Sequence, residues 1–195
     1  MTIRLSFLLL LGALLTACGH PAATPAFQST DVTGAAFARD FNLSDPTGRH
    51  RTLADFRGKV VVLFFGYTNC PDVCPASLSE LALALQKMGP QASAVQVLFV
   101  TVDPERDTPS LLAQYVPAFN PTFLGLYGSD DETARTAREF KILYEKRGEG
   151  LHYAMDHSTG TYIYDPSGRL RLFVRHGHGA DLFAHDIQAL LNAHG

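Results

Sequence analysis

Cysteine is scarce in this chain: three residues in 195, at positions 18, 70 and 74. Positive charge is not in excess either. Sixteen Lys and Arg stand against nineteen Asp and Glu, for a formal charge of −3. That balance excludes nucleic acid as a partner, because binding it needs a basic footprint. No segment beyond the first seventeen residues is apolar enough to cross a bilayer, which takes ~20 such residues. There is also no internal repeat and no long block of one charge, so a solenoid or a charged tail is ruled out.

What is present begins at the amino end. Residues 1–17 read as a signal peptide, with Arg4 as its positive region and an apolar stretch over 5–15 broken only by Ser6 and Gly12. The stretch closes on Leu15-Thr16-Ala17-Cys18, which resembles a bacterial lipobox. Cys18 is then the lipidation site, and its acyl chains tie the protein to a membrane. This accounts for the odd thiol and implies a protein of the bacterial cell envelope, outside the cytoplasmic membrane, lipid-anchored at Cys18. Residues 18–36 follow as a tether, rich in Pro, Ala and Thr at its start. Residues 37–195 have the length of one domain with a sizeable core. Export also places Cys70 and Cys74 in an oxidising compartment, where an unprotected pair tends towards a disulfide.

Residues 40–43 and 49–52, joined by Asp45-Pro46-Thr47-Gly48, predict a short hairpin. The run 59–65 is nearly all apolar and rich in β-branched and aromatic residues, as a strand buried on both faces should be. Pro75 suits the first position of a helix whose buried face is Leu78, Leu81, Leu85 and Met88. Further strands are expected at 95–102 and 123–127, with helices at 108–115 and 130–140. A second hairpin spans 161–164 and 170–174, and a closing amphipathic helix spans 180–193. Strands alternating with helices, then a hairpin and a last helix, predict an α/β domain with a central mixed sheet flanked by helices. That order is thioredoxin-like, with the first hairpin as an N-terminal addition.

The chemistry sits at Cys70-Pro71-Asp72-Val73-Cys74, where the central strand passes into the first helix. Sites in open α/β sheets collect at such strand ends. A thioredoxin-type dithiol carries two residues between its cysteines, and here there are three. The helix start should lower the Cys74 thiol pKa, but a thiolate serves disulfide exchange and metal binding alike. Two thiolates and one imidazole suit Cu(I), and with small adjustment Cu(II). Of eight histidines, His20, His50, His185 and His194 lie in the tether, the first hairpin, the last helix and the terminus. His152 and His157 flank the loop that enters 161–164, and in a thioredoxin-like fold that loop faces the cysteines. It carries no proline, so His157 has room to reach the sulfurs. A peroxidase-like reading would need an arginine beside Cys70, and none is evident there. Asp107 reads as the cap of the helix near 108, Asp103 either as a residue that positions the cysteine loop or a partner's cation or as a plain loop cap, and His176-Gly177-His178 as a solvated loop.

Three motifs in order carry a resemblance: residues 66–75, Thr101-Val102-Asp103-Pro104-Glu105-Arg106-Asp107-Thr108-Pro109, and Asp156-His157-Ser158. Over residues 37–193 the chain resembles the Sco/SenC family of membrane-tethered, thioredoxin-like copper proteins. The resemblance implies a copper chaperone that delivers copper to the copper centre of cytochrome c oxidase during assembly, with Cys70, Cys74 and His157 as ligands. Its implied partners are the oxidase's copper-site subunit and an upstream copper donor or thiol reductant. The alternative is a thiol–disulfide reductase that keeps the oxidase's copper-site cysteines reduced, with Cys70 and Cys74 as its redox-active pair. Asn69 departs from the family, many members of which carry histidine there; this bears on partner contacts and redox tuning.

Overall fold

The apolar run after residue 59 becomes the spine of the fold. In the computed structural model, which describes residues 26–150 and 153–193, every residue of Val60–Gly66 is buried. In chain order the elements are β1 (Thr30–Asp31), β2 (Leu43–Ser44), β3 (His50–Arg51), β4 (Val60–Gly66), α1 (Val73–Met88), β5 (Val95–Thr101), α2 (Pro109–Tyr115), β6 (Leu124–Leu126), α3 (Asp130–Glu139), β7 (Tyr144–Arg147), β8 (Ala154–His157), β9 (Thr161–Tyr164), β10 (Leu170–Val174) and α4 (Gly179–Asn192). Short 3-10 turns lie at Leu53–Phe56 and Gly89–Ala94. The expected signal peptide, Cys18, His20, His152 and His194 all lie outside the described residues.

Six strands form one mixed sheet in the order β1-β10-β9-β4-β5-β6. β4, β5 and β6 run parallel, while β9 lies antiparallel on the other side of β4. Helices α1 and α4 pack side by side, and Leu78, Leu81, Leu85 and Met88 are all buried. This is the thioredoxin-like α/β architecture, with β2–β3 as the N-terminal hairpin. The hairpin turns on Asp45, which accepts from the Thr47 N–H at 2.9 Å and from Arg51 Nε at 2.8 Å.

Three local expectations change. Helix α1 starts at Val73, so Pro75 is its third residue; the first turn has no internal use for that N–H, and proline costs nothing there. The segment before β9 is not a loop as far as His157: β7 and β8 pair as a separate two-stranded ribbon, with Tyr144 opposite His157. β7 reads Tyr-Glu-Lys-Arg and is mostly exposed, so no apolar alternation betrays it. Strand β1 pairs Thr30 and Asp31 with Phe173 and Leu172 inside what was expected to be free tether.

The parallel register decides where the site falls. Gly66, the last residue of β4, stands opposite Thr101, the last of β5, and the Val102 N–H donates to the Gly66 carbonyl at 2.9 Å. The chain leaving β4 (with both cysteines) and the chain leaving β5 therefore emerge side by side at the carboxyl edge of the sheet.

Three buried carboxylates hold the periphery. Asp186 of α4 accepts from the Gln28 and Ser29 N–H groups, each at 2.9 Å, and from His185 Nδ1 at 2.8 Å, which ties β1 to the last helix. Burial alone would raise its pKa, but these bonds outweigh it and keep the carboxyl below the usual range. Asp45 and Asp165 are held low in the same way. A lowered folded-state value stabilises the fold above the unfolded carboxyl pKa of ~4, and the contribution is lost as pH falls through the folded value. Urea-unfolding stability should accordingly decline below about pH 5. Asp186→Asn should flatten that decline and lower stability at pH 7 by roughly 1–3 kcal/mol. An unchanged pH profile would remove Asp186 from the account.

Candidate metal centre

Cys70 lies in the loop between β4 and α1, partly exposed, and Cys74 is the second residue of α1, with 0% of its surface accessible. Both are free thiols. The Cys74 N–H, one of the unpaired donors of the helix's first turn, points at Cys70 Sγ over 3.4 Å. His157 enters from the opposite side, on the last residue of β8, with Nε2 3.8 Å from Cys74 Sγ. The two sulfurs and one ring nitrogen all lie within 4.8 Å of one another. A shared ion with bonds of about 2.0–2.3 Å places its donor atoms roughly 3.5–4 Å apart, so the separations are within a small adjustment of that.

The imidazole is held in one tautomer. His157 Nδ1 lies 3.0 Å from the Ser158 carbonyl oxygen, which only accepts, so Nδ1 carries the proton and the Nε2 lone pair faces the sulfurs. Burial lowers the His157 pKa, against raising effects from the Ser158 carbonyl and Asp156, and the ring is neutral at pH 7. The Tyr67 ring packs edge-on against it, with centroids 5.9 Å apart.

The expectation that the helix start lowers the Cys74 thiol is reversed. Burial pushes that thiol far up, and the neighbouring Cys70 sulfur adds to the effect. A helix terminus is worth about 0.3–1 kcal/mol, less than one pKa unit at 1.36 kcal/mol. Burial can move a thiol by several units, and it wins.

Around the donors, Asp107 does more than cap a helix. Thr108 is the cap, its hydroxyl accepting from the Leu111 N–H. Asp107 is buried and accepts from the Thr68 N–H at 3.0 Å and the Thr101 hydroxyl at 2.6 Å, which pins the cysteine loop to the end of β5. The Asp103 carboxylate bonds elsewhere than the cysteine loop; it pairs with Arg106 and accepts from the Tyr153 hydroxyl at 2.6 Å. An arginine is present near the site after all, but the Arg106 guanidinium bonds Asp103 and the Tyr153 carbonyl and stacks on the Tyr153 ring. Asp72 and Asn69 are exposed on the loop. His50, His176, His178 and His185 are exposed, and Cys70, Cys74 and His157 form the only metal-competent group among the described residues.

A thioredoxin-like sheet with a dithiol and an imidazole converging beyond its central strand defines the class: a thioredoxin-like protein with a donor set for one soft ion. The sequence model described as SCO1/SenC matches residues 29–192, and the chain belongs to that family. Bovine "Protein SCO2 homolog, mitochondrial" is 44% identical over 133 residues, which are 66% of this chain and 50% of that protein. The chain thus spans about half the length of the curated relatives it matches. Apo Sco1 from Thermus thermophilus is similar at a TM-score of 0.77 and 40% identity, covering 87% of this chain and 99% of that one. Bradyrhizobium japonicum ScoI "with copper bound" is similar at 0.71 and 36%, covering 80% and 100%.

One expectation is overturned by these relatives. The cattle, mouse, human and Arabidopsis proteins are named as mitochondrial, so the location in a bacterial cell envelope does not stand. The physical reason is that a short apolar leader with one arginine specifies export only loosely, and a cysteine after it does not identify the compartment.

Gly66 is required at the site. A Cβ there would lie 2.8 Å from Phe99 Cε2 and 2.9 Å from Cys74 Sγ. Gly66→Ala should cost about 1–3 kcal/mol in urea denaturation. A variant as stable as the parent would show that the sulfur is not packed as described.

Proposed function

We propose that Cys70, Cys74 and His157 bind copper and that the protein delivers it to the copper centre of cytochrome c oxidase during assembly. The observation that carries this reading is the donor set itself: two thiols and a neutral imidazole whose lone pair faces them, all within 4.8 Å. Soft thiolates select Cu(I), and three donors satisfy it; the imidazole also suits Cu(II). The copper-bound relatives supply the ion's identity by family. Loading with Cu(I) replaces two thiol protons by one ion, so the sulfurs end as ligands of a site with one net negative charge rather than as a pair of bare thiolates.

Transfer follows from the difference in exposure. Cys74 is closed off behind Gly66 and Phe99, whereas Cys70 is partly open to solvent. An incoming thiolate of a partner displaces Cys70 first, and His157 and Cys74 hold the ion until the exchange is complete. Copper titration of the reduced chain tests the ligand set. Cys70→Ser and Cys74→Ser should each abolish tight binding. His157→Ala should weaken it by a factor on the order of ten or more and change the absorption spectrum of the Cu(II) form. Unchanged affinity and spectrum in His157→Ala would end the three-ligand reading.

The same unequal exposure favours a second reading, a thiol–disulfide reductase. An accessible Cys70 attacks a partner disulfide, and Cys74 resolves the mixed disulfide. Two electrons and two protons pass to the partner as the Cys70–Cys74 bond forms. Cys74→Ser should then trap Cys70 covalently on the partner's cysteine; absence of any trapped adduct with an oxidised copper-site subunit would dismiss this role. His157 is not needed for it, which separates the two readings.

A further inference from the structure

The five residues Asp103–Asp107 contact the segments that carry both halves of the donor set without supplying a donor. Asp107 holds the Thr68 N–H and, with Thr101, fixes the loop that leads to Cys70. At the other end Arg106 donates from Nη1 to the Tyr153 carbonyl at 2.8 Å and lies 3.5 Å over the Tyr153 ring, while Asp103 accepts from the Tyr153 hydroxyl at 2.6 Å. Tyr153 is the residue before β8, the strand that ends in His157. The Arg106 guanidinium also sits 5.7 Å from the Tyr67 ring, and Tyr67 is edge-on to the His157 imidazole.

We infer that this segment is a bracket that sets the distance between the sulfurs and the imidazole, with Arg106 as its principal positioning residue; the inference rests on the copper reading above. The physical case is one of rigidity. The β7–β8 ribbon is not part of the main sheet and meets the core through side chains such as Tyr144, Tyr153 and Met155; two strands without such support are marginal in water. At its base the planar guanidinium adds a hydrogen bond from Nη1 to the Tyr153 carbonyl and a stacked face at once, while its Nε holds Asp103, the acceptor of the Tyr153 hydroxyl. The Arg106–Asp103 pair is almost wholly removed from solvent, with side-chain exposures of 13% and 3%. Lys146 closes the other side of the arrangement, 3.8 Å from the Tyr153 ring centroid and 2.9 Å from Glu105. Arg106 therefore acts on copper only through where it puts His157.

The test is Cu(I) affinity of the full chain, read by competition with a chromophoric chelator, together with the visible absorption of the Cu(II) form. The variants are Arg106→Ala, Arg106→Lys, His157→Ala and the double variant Arg106→Ala with His157→Ala. Leu53→Ala, a buried substitution in the 3-10 turn far along the chain from the donors, controls for lost stability alone. Arg106→Ala should lower affinity several-fold, less than the roughly tenfold or more that losing a group bonded directly to a metal ligand costs, and change the Cu(II) spectrum. Arg106→Lys should recover only part of either, since it keeps the charge without the fork. In the His157→Ala background, Arg106→Ala should cause no further loss. Leu53→Ala should lower the melting temperature and leave affinity and spectrum alone. Full affinity in Arg106→Ala, or losses that simply add in the double variant, would overturn the bracket. If His157→Ala itself leaves affinity unchanged, the copper reading fails instead, and the two failures are distinct.

Discussion

The parallel pairing of β4 with β5 is the constraint on which the rest depends. Every residue of β4 is buried and β5 is covered almost as completely, so slipping the register would expose apolar side chains or strand them against the wrong neighbours. With Gly66 fixed opposite Thr101, the two following loops have no freedom to separate. One delivers the cysteines and the other delivers Asp103, Arg106 and Asp107. The cysteines are thus placed by buried central strands of the sheet, while the histidine arrives on a ribbon outside it.

That division suits the proposed role, in which an ion is both held and released. Cys74 is a buried, neutral thiol in the free protein, because an unpaired thiolate among Gly66, Phe64 and Phe99 would be costly. Metal binding is what makes its ionisation affordable. Cys70 lies nearer solvent, and His157 is neutral and oriented before any ion arrives. Preorganisation of this kind keeps the ordering cost of binding small, and exposure of one sulfur leaves a route for exchange.

Much of the scaffold was legible in the residues. The buried strands at 60–66 and 95–101, the helical face of Leu78, Leu81, Leu85 and Met88, and the closing hairpin all follow strong local patterns. The convergence of Cys70, Cys74 and His157 was legible by a different route, through cysteine spacing and family motifs. Ribbon β7–β8 was not, because an exposed Tyr-Glu-Lys-Arg strand has the composition of a loop. Nor were the partners of Asp107 and Arg106, since Thr68 and Tyr153 lie 39 and 47 residues away and only the folded sheet brings them together. The direction of the Cys74 shift failed for a related reason: helix position can be read locally, whereas burial is set by β4 and β5.

The central claim is that one copper ion is held by two sulfurs and one imidazole. X-ray absorption of the copper-loaded, reduced chain measures that coordination directly. Two sulfur neighbours and one nitrogen, with the imidazole scattering lost in His157→Ala, is the predicted result. Coordination by sulfur alone, the same in the parent and in His157→Ala, would contradict it.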